Sequence, residues 1–146
     1  MPELLKPDLY ALKGTTSAPE RPSLKGGKCA HCGFVFFPMQ GYGCEVCGRS
    51  GDCLQSLALR GSGSLIASAR VHMHNPVPAA AMADVKPLEA PFTVGTIKLD
   101  DGPTIRTLLV DAKERALKPR QRMMSKLVPV GSGARTILDL RFTPAS

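Results

Sequence analysis

The sequence is poor in the groups that most often carry binding or chemistry on their own. Its 146 residues hold no Trp, two Tyr and five Phe, an aromatic share of 5%. Proteins that bind single-stranded nucleic acid stack bases on aromatic platforms, so this scarcity weighs against that function. No apolar run approaches the ~20 residues that span a bilayer. The opening stretch MPELLKPDLYALK also lacks the apolar core of a secretory signal. The expected setting is therefore cytoplasmic, with no membrane involved, and there the five cysteines are not expected to form disulfides. There is no G-x-S-x-G elbow, no phosphate-binding glycine loop and no nucleophile–base pair at telling spacing. His72 and His74 alternate and would share one face of a strand, but they lead straight into an Asn75-Pro76 turn. Asp100 and Asp101 form a carboxylate pair whose place before Gly102 explains them as turn residues. Nothing here argues for a free-standing enzyme.

What is present is glycine, proline, cysteine and positive charge. Fourteen Gly and thirteen Pro exceed the usual combined share of ~12% and speak against a helical bundle. Nineteen Lys and Arg against twelve Asp and Glu leave a formal charge of +7. That balance admits nucleic acid, a phosphorylated ligand or an acidic protein surface as partner and selects none of them.

The strongest signal is Cys29-Ala-His-Cys32-Gly33 followed by Cys44-Glu-Val-Cys47-Gly48, a C-x2-C-x11-C-x2-C pattern. Two thiolates two residues apart can clasp one ion, because the backbone between them turns back on itself. The following glycine accepts the positive φ that aims backbone amides at the sulfurs. Two such knuckles make a closed tetrathiolate site, which is structural, since catalytic zinc needs an open position. Zinc is the expected ion, and iron in a rubredoxin-like redox site is the rival, because the same double knuckle serves both. About twenty residues cannot bury enough apolar surface to fold alone, so the metal holds this segment together. With one divalent ion bound, four thiolates lower the formal charge from +7 to about +5. His31 inside the first knuckle is expected in solvent. Cys53 falls where the next pattern begins and is expected as a buried small apolar residue, with no His nearby to activate it.

The chain divides into three parts: an arm over 1–27, a zinc ribbon over 28–52 and a barrel over 53–146. Pro2, Pro7, Pro19 and Pro22 break up the arm, leaving room for a short helix over Asp8–Lys13. Leu4, Leu5, Leu9, Tyr10 and Leu12 would let the arm pack on a partner. After Cys53, period-two and β-branched runs predict strands over Leu54–Arg60, Gly63–Met73, Phe92–Leu99, Thr104–Asp111, Lys126–Val130 and Thr136–Phe142. Asp100-Asp101-Gly102 and Gly131-Ser132-Gly133 supply turns, and Asn75–Pro91 reads as a long loop. Short strands without a long helix predict a small, closed antiparallel barrel. The run from Lys113 to Lys126 carries Lys113, Arg115, Lys118, Arg120, Arg122 and Lys126 against Glu114 alone. It holds no aromatic residue. Lys118, Arg120 and Arg122 are the candidates for a compact phosphate such as that of coenzyme A, or for an acidic subunit surface.

In order and spacing these elements resemble the acyl-CoA-associated zinc-ribbon/OB-fold family. The resemblance is carried by Leu24-Lys-Gly-Gly-Lys28 before the first knuckle, Phe36-Phe37-Pro38 after it and Cys44, Cys47 and Gly48. It continues in Leu59-Arg60-Gly61-Ser62-Gly63, Pro91-Phe92 and Leu99-Asp100-Asp101-Gly102, and covers about Leu24–Val130. It implies a mostly β chain in which a rubredoxin-like four-cysteine ribbon leads into a small OB-fold barrel. It also implies a non-catalytic partner of a thiolase-like subunit, in a hetero-oligomer such as α2β2 that acts on acyl-CoA thioesters. The catalytic residues would then belong to the partner. Two departures stand out: the arm is short and proline-rich where the family has a longer helical start, and Arg120 falls where the family's late Ile-Gly-Met step carries glycine. Two other classes stay open, a nucleic-acid-binding module and an iron-containing redox carrier.

Overall fold

The computed structural model describes residues 3–16, 18–72, 91–111, 117–131 and 136–145. Strands dominate, and a single 3-10 turn, Gly51–Cys53, is the helical element among the described residues. The strands are β1 (Glu3–Leu4), β2 (Tyr10–Ala11), β3 (Ser23–Cys29), β4 (Val35–Phe36), β5 (Leu54–Leu59) and β6 (Ser62–Val71). They continue as β7 (Phe92–Leu99), β8 (Thr104–Leu109), β9 (Arg122–Pro129) and β10 (Ile137–Pro144).

β6 to β10 close into a five-stranded barrel. β6, β7 and β8 form an antiparallel meander, β10 pairs antiparallel with β9, and β9 returns to β6 at Ser62–Ser64. The barrel is not wholly antiparallel as expected: β8 meets β10 in parallel, at Leu109 and Phe142. This order, with its single parallel closure, is that of an OB-fold. Alternation explains the strands. In β7, Thr93, Gly95, Ile97 and Leu99 point inward and their neighbours do not. In β6 the register shifts between Leu65 and Ala67, and this bulge leaves Ile66 half-exposed on the outside. The Asp100–Gly102 hairpin turns as expected, with Gly102 at φ 125.

β9 starts at Arg122, four residues before its expected start. The charges of Arg122 and Lys126 mask a genuine alternation, in which Met123 and Ser125 face inward. Arg120, just before it, adopts φ 68, the left-handed region that glycine favours. Lys113, Arg115 and His74, the loop over 75–90 and most of the Gly131-Ser132-Gly133 turn lie outside the described residues.

The N-terminal segment corrects two expectations. No helix forms over Asp8–Lys13; Tyr10 and Ala11 instead pair with Leu24 and Ser23 of β3. The Lys25 amide donates to the Leu9 carbonyl at 2.8 Å, so a strand partner supplies the bonds that a short helix after Pro7 could not. Nor is this segment free of the core. Tyr10 (3% exposed) and Leu24 pack with Leu59, Ile97, Met123 and Phe142 in the main cluster, and β1 adds a parallel edge to β10. Burying one such side chain is worth about 1.5–3 kcal/mol, which offsets part of the entropy lost in ordering the segment; the hydrogen bonds to β3 and β10 add to it. β3 is a strand that sequence reasoning missed, because its Gly26-Gly27 pair lacks the β-branched pattern of a strand and the segment falls largely within the arm. A side chain at Gly26 would meet Leu59 at 2.6 Å, and one at Gly27 would overlap the Phe36 ring. Glycine is there for close packing.

The Tyr10 hydroxyl donates to buried Asp139 of β10 at 2.9 Å and so ties the N-terminal sheet to the barrel. Burial, and then the adjacent carboxylate, push its pKa from 10.0 up to about 12. The folded state therefore keeps a proton that the unfolded chain releases, and stability falls as pH rises from about 10 to 12. We predict that Tyr10→Phe lowers unfolding free energy by about 1.5–3 kcal/mol at neutral pH, as expected for a bond to a charged group. The variant should also lose the tyrosine-linked decline between these pH limits, and denaturant unfolding at pH 7 and pH 11 measures both.

Candidate metal centre and its surroundings

The four cysteines are delivered by two backbone turns of one design. β3 ends at Cys29, whose amide donates to the Phe34 carbonyl at 2.8 Å; the Cys44 amide donates to the Arg49 carbonyl at 2.7 Å. The Gly33 amide returns to the Cys29 carbonyl and the Gly48 amide to the Cys44 carbonyl, both at 2.8 Å. Gly33 and Gly48 take φ 80 and 79, where a side chain would be strained. In each turn the first cysteine is buried and the second exposed. The knuckles are thus near-copies, as their shared Cys-x-x-Cys-Gly sequence implies.

All four Sγ atoms lie within 4.8 Å of one another. Cys29 Sγ is 3.6 Å from Cys47 Sγ, and Cys32 Sγ is 3.5 Å from Cys44 Sγ. A tetrahedral ion with sulfur bonds of ~2.3 Å holds its ligands about 3.8 Å apart, so the cage fits a zinc-sized cation closely. The Cys32 amide, followed by that of His31, draws the Cys29 thiol down to about 7. The Cys47 and Val46 amides lower Cys44 in the same way. Amides from Phe34 and Arg49 also face Cys32 and Cys47, but burial and the neighbouring thiols win and push both up, Cys32 to about 12. Without a cation, the backbone amides favour the thiolate at Cys29 and Cys44, while burial and the neighbouring thiols disfavour it at Cys32 and Cys47. A divalent ion is what allows four thiolates. The set is therefore a site for a structural metal with no open position.

His31 is exposed and stands outside the sulfur cage, and Cys53 is half-buried. Cys29 and Cys44 pack with Phe36 and Leu54 in a small second core. Beside it, a groove of about 720 Å³ separates the ribbon from the β7–β8 hairpin, between Phe34 and Phe37 on one wall and Lys98 and Thr104 on the other.

The three candidate phosphate ligands do not converge as a set. Lys118 and Arg120 are exposed. Arg122 forms a two-pronged ion pair with Asp100, at 2.9 and 2.5 Å, which holds the Asp100 pKa down at about 2. Lys126 pairs with Asp111 at 2.8 Å. Asp101 binds Arg60 at its backbone amide (2.7 Å) and at its guanidinium (3.1 Å). The two turn aspartates therefore do more than turn: they anchor β5–β6 and β9 to the hairpin. Sequence reasoning missed this pairing, because Arg60 and Arg122 stand some forty and twenty residues from their partners. His72 is exposed.

Fold and site together define a structural four-cysteine zinc ribbon joined to a five-stranded OB-type barrel. Residues 16–52 match the family described as ChsH2, rubredoxin-like zinc ribbon domain. A DUF35 domain-containing scaffold protein of Methanothermobacter thermautotrophicus is 33% identical over 95 residues, which are 64% of this chain and 62% of that protein. The chain thus spans somewhat under two thirds of that relative's length. Among solved structures, a chain of the Ltp2-ChsH2(DUF35) aldolase superposes with a TM-score of 0.61 at 22% identity, covering 85% of this chain and 86% of that one, and shares the fold. The sequence matches place a rubredoxin-like zinc ribbon over residues 16–52, and the structural match shows the fold of ribbon and barrel together. No helix among the described residues is long and apolar enough to cross a membrane.

Metal analysis of the purified protein should find one zinc per chain in a colourless sample; a red, iron-loaded protein would overturn the assignment. Cys44→Ser removes a buried ligand. It should release the metal and melt the ribbon, seen as loss of amide exchange protection over residues 29–48 while β7 and β8 stay protected.

Proposed function

We propose that this chain is a non-catalytic accessory subunit of a thiolase-type complex, or of a related acyltransferase or aldolase, that acts on CoA thioesters. The observation that carries this is the pair of relatives. One is named as a scaffold protein and the other as one component of an Ltp2-ChsH2 aldolase, and each shares ribbon, barrel or both with this chain. A metal-held ribbon is a rigid docking element, and the barrel beside it can complete or shield a partner's substrate channel. Structural zinc and a cytoplasmic, reducing setting suit the four ligand thiolates Cys29, Cys32, Cys44 and Cys47. A hetero-oligomer of α2β2 form is the expected assembly.

Coenzyme A phosphate is the proposed ligand of Lys118 and Arg120, whose side chains carry no carboxylate pair among the described residues. Arg122, committed to Asp100, plays a smaller part. Co-expression with thiolase-fold subunits of the same genome should yield a co-purifying complex whose mass by light scattering fits α2β2. Absence of any stable partner, with full activity in the lone chain, would sink this function. Arg120→Gly should relieve the φ 68 strain and raise the chain's own stability by up to about 1 kcal/mol. In the complex the same change should raise KM for the acyl-CoA about tenfold, the loss expected for one charge-assisted phosphate contact. An unchanged KM would remove coenzyme A from this site.

A further inference from the structure

Among the ten described strands, β5 has one edge without a strand partner along its whole length, and described residues bound it at both ends. β5 pairs with β3 from Cys29–Leu54 to Leu24–Leu59, and no strand lies on its other side. The outer half of β6 also has an open edge, but it leads directly into 73–90, outside the described residues.

The hydrogen-bond phase of β5 follows from its neighbours. The Ala30 amide donates to the Cys53 carbonyl at 2.7 Å, so Gln55, Leu57 and Leu59 turn their backbone groups toward β3. The opposite strand agrees: Lys25, which faces Ala58, sends its amide to Leu9 and receives the Met39 amide, both on the far side. Ser56 and Ala58 therefore present their N–H and C=O groups outward, without a partner among the described residues. Four consecutive residues, Gln55–Ala58, are exposed, and none is charged or proline. Such an edge lacks the devices that keep strands from pairing with another chain. The strand behind it is cationic. Lys25 and Lys28 of β3 are exposed, carry no ion pair among the described residues and project to opposite faces of the sheet.

We propose that β5 is the docking edge for an extended acidic segment of the catalytic partner, which adds as a further strand to the ribbon sheet. Main-chain bonds to Ser56 and Ala58 would supply the pairing, and Lys25 and Lys28 would select negative charge. A second copy of this chain is a poor occupant, since both copies would bring a formal +7. The proposal rests on the accessory-subunit function above.

The test uses Ala58→Pro and Ser56→Pro. Each removes an outward N–H and leaves the β3 ladder whole, a change that an edge strand tolerates. Both should melt within a few degrees of wild type yet bind the co-expressed catalytic subunit at least tenfold more weakly. Should either fail to fold, the Lys25→Glu/Lys28→Glu double variant is expected to show a similar loss. Wild-type capture of the subunit with undiminished binding by the variants would overturn the β5 assignment alone. No capture by wild type would defeat the accessory-subunit function and this inference with it. A lone-chain dimer abolished by Ala58→Pro would assign the edge to a second copy instead.

Discussion

Four sulfurs within 4.8 Å of one another repel as thiolates, and a cation is what makes their gathering favourable. The rest of the N-terminal half depends on that balance. β3 ends at Cys29, β5 begins just past the second knuckle, and Cys29, Cys44, Phe36 and Leu54 form a core too small to stand alone. The cysteine cage lies at one end of the β3–β5 pair, at Cys29 and Leu54, and the other end, Leu24 and Leu59, packs into the barrel core.

From there rigidity passes to the barrel through β3, β5 and the segment before them. Leu24, Leu59 and Tyr10 reach into the cluster that Ile97, Met123 and Phe142 build from the barrel side. Tyr10 adds a directed bond to Asp139, and Asp100 and Asp101 clamp Arg122 and Arg60. The N-terminal sheet and the barrel are thus joined by apolar packing, by the Tyr10–Asp139 hydrogen bond and by the Arg60–Asp101 ion pair.

The same pairing redistributes the positive charge. In the basic run, Arg122 and Lys126 spend their charge on Asp100 and Asp111, so only part of it is available to a ligand. Lys25 and Lys28, unremarkable in composition, gain meaning because they border an edge that no strand covers. Net charge said that an anionic partner was admissible; the placement of ion pairs says which cations are left to meet it.

Much of this was legible in the sequence, and the reason is locality. Cys-x-x-Cys-Gly twice, at a spacing of eleven, specifies a metal cage through short-range backbone geometry alone, and the alternation of β7 and the Asp100–Gly102 turn are equally local. What stayed hidden depends on distant partners. Tyr10 looked like part of a loose arm because its partners, Leu24 and Asp139, are far along the chain. β3 went unseen because the close approach of Leu59 and Phe36 that calls for Gly26 and Gly27 is invisible in one dimension. The parallel closure of β8 on β10 has no periodic signature. Spacing and period by themselves determined the ribbon, its four-sulfur cage and the β character of the rest, because those follow from neighbours in sequence. Only the tertiary structure decided which strands close the barrel, which cations are already neutralised and which edge is left open, because each of those is a pairing between residues that sequence keeps apart.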